Sequence, residues 1–196
     1  MTNPPNRGAA TADAKLTPSS TPQDVLDFWR EAGPSRWFRK DEAFDQQFRA
    51  RFLDAHDSAL RGDLDTWAAD AQGALALIIL LDQFPRNAFR GSPRMFESDA
   101  KARETARQAV AAGFDLQVET ELRNFLYLPF MHSEQLADQD RAVELAGKLS
   151  AESLRYAVMH REIIEKFGRF PHRNAVLGRS TTPDEQRFLD EGGFAG

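Results

Sequence analysis

The chain has 196 residues, 41% of them hydrophobic, a net charge of -5 and no cysteine. That length and apolar fraction suit one compact domain with a real core and exclude a wholly disordered chain. The acidic balance argues against a general nucleic-acid binder, and the lack of cysteine removes disulfides, thiolate metal sites and a cysteine nucleophile.

The longest apolar run, residues 74–81, is closed by Asp82. A membrane span needs about 20 apolar residues, so no membrane association and a cytoplasmic location are expected. Residues 1–20 are rich in Pro, Asn, Thr, Ser and Ala and lack an apolar stretch. They read as a disordered tail rather than a secretory signal. Residues 21–196 read as a single all-α domain.

Thr21-Pro22-Gln23-Asp24 supplies a cap, a proline at the first helical position and an acid in the first turn. The first helix then carries Val25, Leu26, Phe28 and Trp29, and Gly33-Pro34 stops it. A second helix is predicted over about 41–60, where Phe44, Phe48, Phe52 and Ala55 share one face. The third, over about 64–83, turns apolar on every side, as a helix packed by all its neighbours does. Pro85 is expected to end it.

Ser98 is expected to cap a fourth helix over 99–112. A fifth is predicted over 118–127, with Pro129 as a kink or stop, a sixth over 140–149 and a seventh over 152–167. Thr182-Pro183-Asp184-Glu185 is a capping box that opens the last helix, and Gly192-Gly193 ends it. No segment alternates with period two, so no sheet is predicted. Short turns between successive helices predict antiparallel stacked helical hairpins, tetratricopeptide-like in architecture, with about eight helices and no strict repeat.

Three polar segments carry the candidate chemistry. They are 81–91 at the exit of the third helix, 128–134 after the fifth, and 167–180 after the seventh. Phe84-Pro85-Arg86-Asn87 and Phe170-Pro171-His172-Arg173-Asn174 echo each other. In each, a rigid Phe-Pro turn precedes a guanidinium and an amide. A preorganised arginine suits bidentate recognition of carboxylate or phosphate.

The Phe-Trp of the first helix, Trp37-Phe38, the run from Leu81 through Asp82 and Gln83 to Asn87, Tyr127-Leu128-Pro129-Phe130-Met131-His132-Ser133-Glu134 and Phe167-Gly168-Arg169-Phe170-Pro171-His172-Arg173-Asn174 resemble the bacterial DUF924 family, over roughly residues 22 to 190. The resemblance implies an all-α, tetratricopeptide-like fold and marks the same three segments as family hallmarks. It implies no activity.

Plainer readings stand beside the functional ones. Asp82 near a helix C-terminus calls for a cationic partner, and a local Asp82–Arg86 clamp would serve. His160 shares a helix face with Tyr156, Ile163 and Phe167, as a satisfied boundary histidine does. His132 and Glu134 could simply cap the fifth helix. His132, Glu134, His160 and His172 are metal-ligand types, but their spacing has no metal signature, so neither metal nor cofactor is expected.

The reading that follows is a small-anion site for a carboxylate- or phosphate-bearing metabolite or an acidic peptide end. Arg86, Asn87, His132, Arg169, Arg173, Asn174 and Arg179 are the expected ligand-binding residues. In an enzymatic version, His172 or His160 is the acid or base and Asp82 or Glu134 orients it. The alternative is a protein- or peptide-interaction scaffold with no small-molecule site. In an up-down stack the exits of the third, fifth and seventh helices emerge on one side, so the three segments are expected to converge.

Overall fold

The computed structural model describes residues 20–194, so the expected tail, apart from Ser20, lies outside the described residues. Nine helices and no strand are found among the described residues. They are α1 (Pro22–Ala32), α2 (Pro34–Trp37), α3 (Glu42–Arg61), α4 (71–88), α5 (Asp99–Ala111), α6 (Thr120–Met131), α7 (Leu136–Gly147), α8 (Ala151–Phe167) and α9 (Pro183–Asp190). The all-α class read from the sequence holds, and α2 is a single turn that the sequence reading left out.

The expected capping box opens α9, and the Thr21 cap of α1 closes into a second one. Thr21 and Asp24 bond reciprocally at the start of α1, and Thr182 and Glu185 do so at the start of α9. Phe44, Phe48 and Phe52 on α3 are buried as their spacing predicts; Phe44 and Phe48 stack on Phe28 of α1 and pack tilted against Trp29, and Phe52 meets Phe28 edge-on. The Trp37 indole donates to the Trp29 carbonyl at 2.7 Å, which pins α2 onto α1.

Helix α4 is the centre of the core, and residues 74–81 are all essentially unexposed. Helices α1, α3, α5 and α6 all pack against it, and α5 to α8 pack consecutively on one another. Its expected limits need two corrections. It starts at Ala71, because Asp65–Ala69 forms a 3₁₀ turn and Asp70 is the cap, accepting from Gly73 N at 2.9 Å. Gly73 admits a close approach: a Cβ there would sit 2.0 Å from the Trp67 carbonyl oxygen.

Pro85 does not end α4. Residues Ile79–Gln83 widen into a π turn, with Phe84 N–H donating to Ile79 O, and Phe84–Ala88 continue the helix. Proline has no amide hydrogen, so in α register it orphans the carbonyl of Leu81, and in π register that of Leu80. Both carbonyls find side chains. His56 Nδ1 donates to Leu80 O at 2.8 Å, and Ser98 Oγ donates to Leu81 O at 2.6 Å. The next two carbonyls are also taken by side chains, Asp82 O by Arg86 and Gln83 O by Asn87, each at 2.8 Å.

Ser98 therefore sits before α5 without capping it through its side chain; its hydroxyl serves α4 instead. Pro129 also fails to stop its helix, and α6 runs on to Met131. Beside the main core lies a smaller apolar cluster of Ile163, Ile164 and Phe170, joined by Met159, Phe167, Phe188 and Phe194.

Ser98→Ala should leave the buried Leu81 carbonyl without its donor. The expected loss is about 1–3 kcal/mol of unfolding free energy in urea titration, with the slope unchanged.

Candidate functional site

The three polar segments meet in one hydrogen-bonded ion network. Asp82, inside the π turn, is 1% exposed. Its Oδ1 lies 2.8 Å from His132 Nδ1 and 3.3 Å from Arg86 Nη1, and its Oδ2 accepts from Gln83 Nε2 at 2.6 Å. Burial alone would raise the Asp82 carboxyl, but Arg86, His132 and Gln83 together hold it down at about 2. An ionised Asp82 needs a donor, so His132 carries its proton on Nδ1. Nε2 of His132 then presents a bare lone pair, with no hydrogen-bond partner among the described residues, on a side chain that is 17% exposed. Burial, then Arg86, lowers the His132 pKa below its ordinary value and favours this neutral form.

Arg86 forks onto Asp99 at 2.8 and 3.2 Å. Asp99 also receives Arg173 Nη1 at 3.3 Å, while Arg173 Nη2 donates to the His132 carbonyl at 2.9 Å. The Arg173 guanidinium is held between the rings of Phe96 and Phe170, at 4.5 and 4.7 Å from their centroids. Asp99 thus joins the first polar segment to the third. Its sequence signal was that of a first-turn acid at a helix start, a position that needs no further explanation, and so it went unread.

A second part of the network anchors segment 167–180. Glu134 accepts both Arg179 Nη atoms, at 2.8 and 3.0 Å, and the amide of Phe170 at 2.8 Å. Arg179 also donates to Asn174 Oδ1 and Phe170 O. Arg169 forks onto Glu185 at 2.6 and 2.8 Å, and Asn174 Nδ2 approaches Glu185 at 3.3 Å. Asn87, in contrast, serves its own helix, donating to Gln83 O and accepting from Arg90.

The two Phe-Pro motifs are alike in sequence only. Phe84-Pro85 continues a helix, whereas Phe170-Pro171 opens a 3₁₀ turn, Pro171–Arg173. The partner of Asp82 also differs from the expected His160 or His172. His160 Nδ1 donates to the Tyr156 carbonyl at 2.8 Å, and His172 makes ring contacts with Phe170 and Phe194. Burial lowers His160 to about 4; burial and Arg173 lower His172 to about 3. Both are neutral at pH 7.

Charge within the network is nearly closed. Arg86, Arg169, Arg173 and Arg179 face Asp82, Asp99, Glu134 and Glu185. Arg173 stands apart: burial and the neighbouring Arg86 outweigh its carboxylates and push its pKa down to about 10. Its Nε is buried and has no partner among the described residues. Two surface clefts, one along α3 with Arg49 and Arg51 and one beside α7 with Arg107 and Arg141, lie outside this network. No group of three or more His, Asp or Glu is placed to hold a metal ion among the described residues. No helix among them is long and apolar enough to cross a membrane.

Asp82 and Arg86 should be energetically coupled. A double-mutant cycle of Asp82→Asn and Arg86→Gln, read by chemical unfolding, should give a coupling of roughly 0.5–3 kcal/mol. Additive effects would mean the contact carries no stabilisation.

Acid should destabilise the fold in two windows. His160 and His172 have folded-state pKa values below their ordinary 6.5, so the unfolded chain binds protons first. Their contribution is complete above about pH 6.5 and is lost as pH falls toward 4 and 3. Asp82 is also depressed, from 3.8 to about 2. Its contribution is complete above about pH 4 and is lost as pH falls through 2. His160→Gln should reduce the loss across the upper window, leaving the share of His172, and Asp82→Asn should reduce the loss across the lower one, in urea midpoints measured across pH.

Comparison with known proteins agrees with this architecture. A solved structure of a protein of unknown function from Agrobacterium tumefaciens is 51% identical, with a TM-score of 0.85, and the match covers 87% of this chain and 97% of that one. No curated protein matches the chain. The family model described as bacterial protein of unknown function, DUF924, matches residues 25–193, and the chain belongs to that family.

Proposed function

We propose that the Asp82–His132–Arg173 region binds a small carboxylate- or phosphate-bearing molecule and that Arg173 is its principal anchor. The observation that carries this reading is the unpartnered Nε of the buried Arg173 guanidinium. It is 7% exposed, its Nε is unpartnered, and its pKa is lowered although three carboxylates stand near it. An anion beside this guanidinium accepts the spare N–H and adds counter-charge where Arg86 and Arg173 share Asp99. Arg86 supplies a second positive charge.

The same region offers proton transfer. His132 Nε2 is the free end of an Asp–His pair whose carboxylate fixes the tautomer and stabilises the imidazolium that forms. In this reading Asp82 orients, His132 takes the proton, and Arg173 and Arg86 stabilise the charge that develops on the substrate. His132 replaces His160 and His172 in the role of base, since neither of those touches a carboxylate.

Thermal-shift measurements against phosphorylated and carboxylated metabolites test the reading. A ligand at 100 times its Kd stabilises the native state by about 2.7 kcal/mol. The shift should disappear in Arg173→Gln and persist in Arg169→Gln, whose guanidinium is committed to Glu185. His132→Gln should keep the shift and lose any turnover. Equal loss in both arginine variants, or no stabilising anion at all, would overturn the assignment.

A further inference from the structure

Beside Arg173 lies a cage of four rings, of which the ion network uses Phe170. Phe194 sits 4.5 Å from His160 and 5.2 Å from His172, and Phe170 sits 5.6 and 5.5 Å from the same two imidazoles. Phe170 is fully buried, whereas Phe194 is only half-buried. Both imidazoles are held neutral by burial. A neutral imidazole with a phenyl ring on either side is an aromatic surface, suited to stacking and edge contacts.

Phe194 reaches this position through a shaped turn. Gly192 has φ of 82°, and at Gly193 a Cβ would meet the Phe188 ring at 2.6 Å and the Phe188 carbonyl at 2.5 Å. Only glycine lets the chain fold back here and lay Phe194 over the histidines. The ring arrives from outside the helices, at the end of a short segment, and belongs to the small second apolar cluster rather than to the main core.

Phe170 joins the cage to the anion region. One guanidinium, that of Arg173, lies 4.7 Å from its centroid, and the two imidazoles flank the same ring. His172 Nδ1 is buried without a partner among the described residues. A buried polar atom left unpaired is costly, and a polar group on an incoming ring would satisfy it.

We propose that the space between His160, His172 and Phe170 is a subsite for a planar aromatic ring, that Phe194 fills it as an intramolecular stand-in, and that the ligand is an aromatic molecule carrying an anionic group for Arg173. This inference rests on the anion reading given above for the position of the charged group. The ring subsite itself rests on the four-ring geometry and the double-glycine turn. Binding exchanges Phe194 for the ring of the ligand, so Phe194 competes with it.

Calorimetric titration with phenyl phosphate, and with methyl phosphate as the ring-free control, separates the two ideas. Phe194→Ala should tighten phenyl phosphate about five- to tenfold and leave methyl phosphate unchanged. Equal changes for the two probes, or no change for either, would overturn the ring subsite while leaving the anion reading intact. If methyl phosphate binds neither protein, the anion reading fails, and the subsite is judged by reactivity alone. Carbethoxylation of His160 and His172 by diethyl pyrocarbonate, followed by peptide mass spectrometry, should run severalfold faster in Phe194→Ala and in a variant lacking residues 194–196. Unchanged rates in both variants, with cooperative unfolding retained, would show that Phe194 does not cover these histidines.

Discussion

A helix that carries a proline through the middle of a core must close its backbone hydrogen bonds without one amide hydrogen, and this protein is arranged around that requirement. Pro85 leaves the carbonyls of Leu80 and Leu81 without their helical donors in a region from which water is excluded. The π turn widens the helix there, and four side chains then serve four successive carbonyls: His56, Ser98, Arg86 and Asn87. Two of these donors come from outside α4, His56 from α3 and Ser98 from the residue before α5. The repair therefore ties α3, α4 and α5 together at the level of Asp82.

Much of the fold was legible because apolar periodicity and end signals are local. The phenylalanines of α3, the Thr21 cap of α1 and the capping box of α9 are properties of a few neighbouring residues, and the structure agrees with them. The limits of α4 were misread because two rules of local reading fail inside a core. Proline stops a helix only when nothing else serves the carbonyls it abandons, and here His56, 24 residues from Leu80, serves one of them. Nor did Leu64 begin the helix, since Asp70 is a better cap and Gly73 must pass close under the Trp67 carbonyl. Pro129 likewise passes through α6, whose flanking residues are all buried.

The candidate site was legible in part for a different reason. Charged residues at three helix exits of like parity have to go somewhere together, and Asp82, Arg86, His132, Glu134, Arg173 and Arg179 are joined in space. What the sequence withheld was the pairing. The choice among His132, His160 and His172 for Asp82 depends on tens of residues of intervening packing. Asp99 was invisible because a first-turn acid is already explained by the helix dipole, and Phe96 because an aromatic ring beside a 3₁₀ turn carries no chemistry until an arginine is laid over it.

The near balance of charge bears directly on how such a network could act. Buried ion pairs gain little net stability over apolar packing, while breaking one by removing a partner is expensive. A region that exists only to hold helices together therefore tends toward complete pairing, and the Arg169–Glu185 and Arg179–Glu134 forks reach it. Arg173 does not. It shares Asp99 with Arg86, makes its shorter bond to a backbone carbonyl, and rests its faces on two phenyl rings. Cation–π contact steadies a guanidinium without neutralising it. Arg173 is thus fixed in direction by rings and a carbonyl, keeps an Nε with no partner among the described residues, and stands beside an imidazole whose tautomer is set by a buried carboxylate. In the proposed reading, this fixed direction and the sharing of Asp99 with Arg86 are what make Arg173 the anchor for an anion.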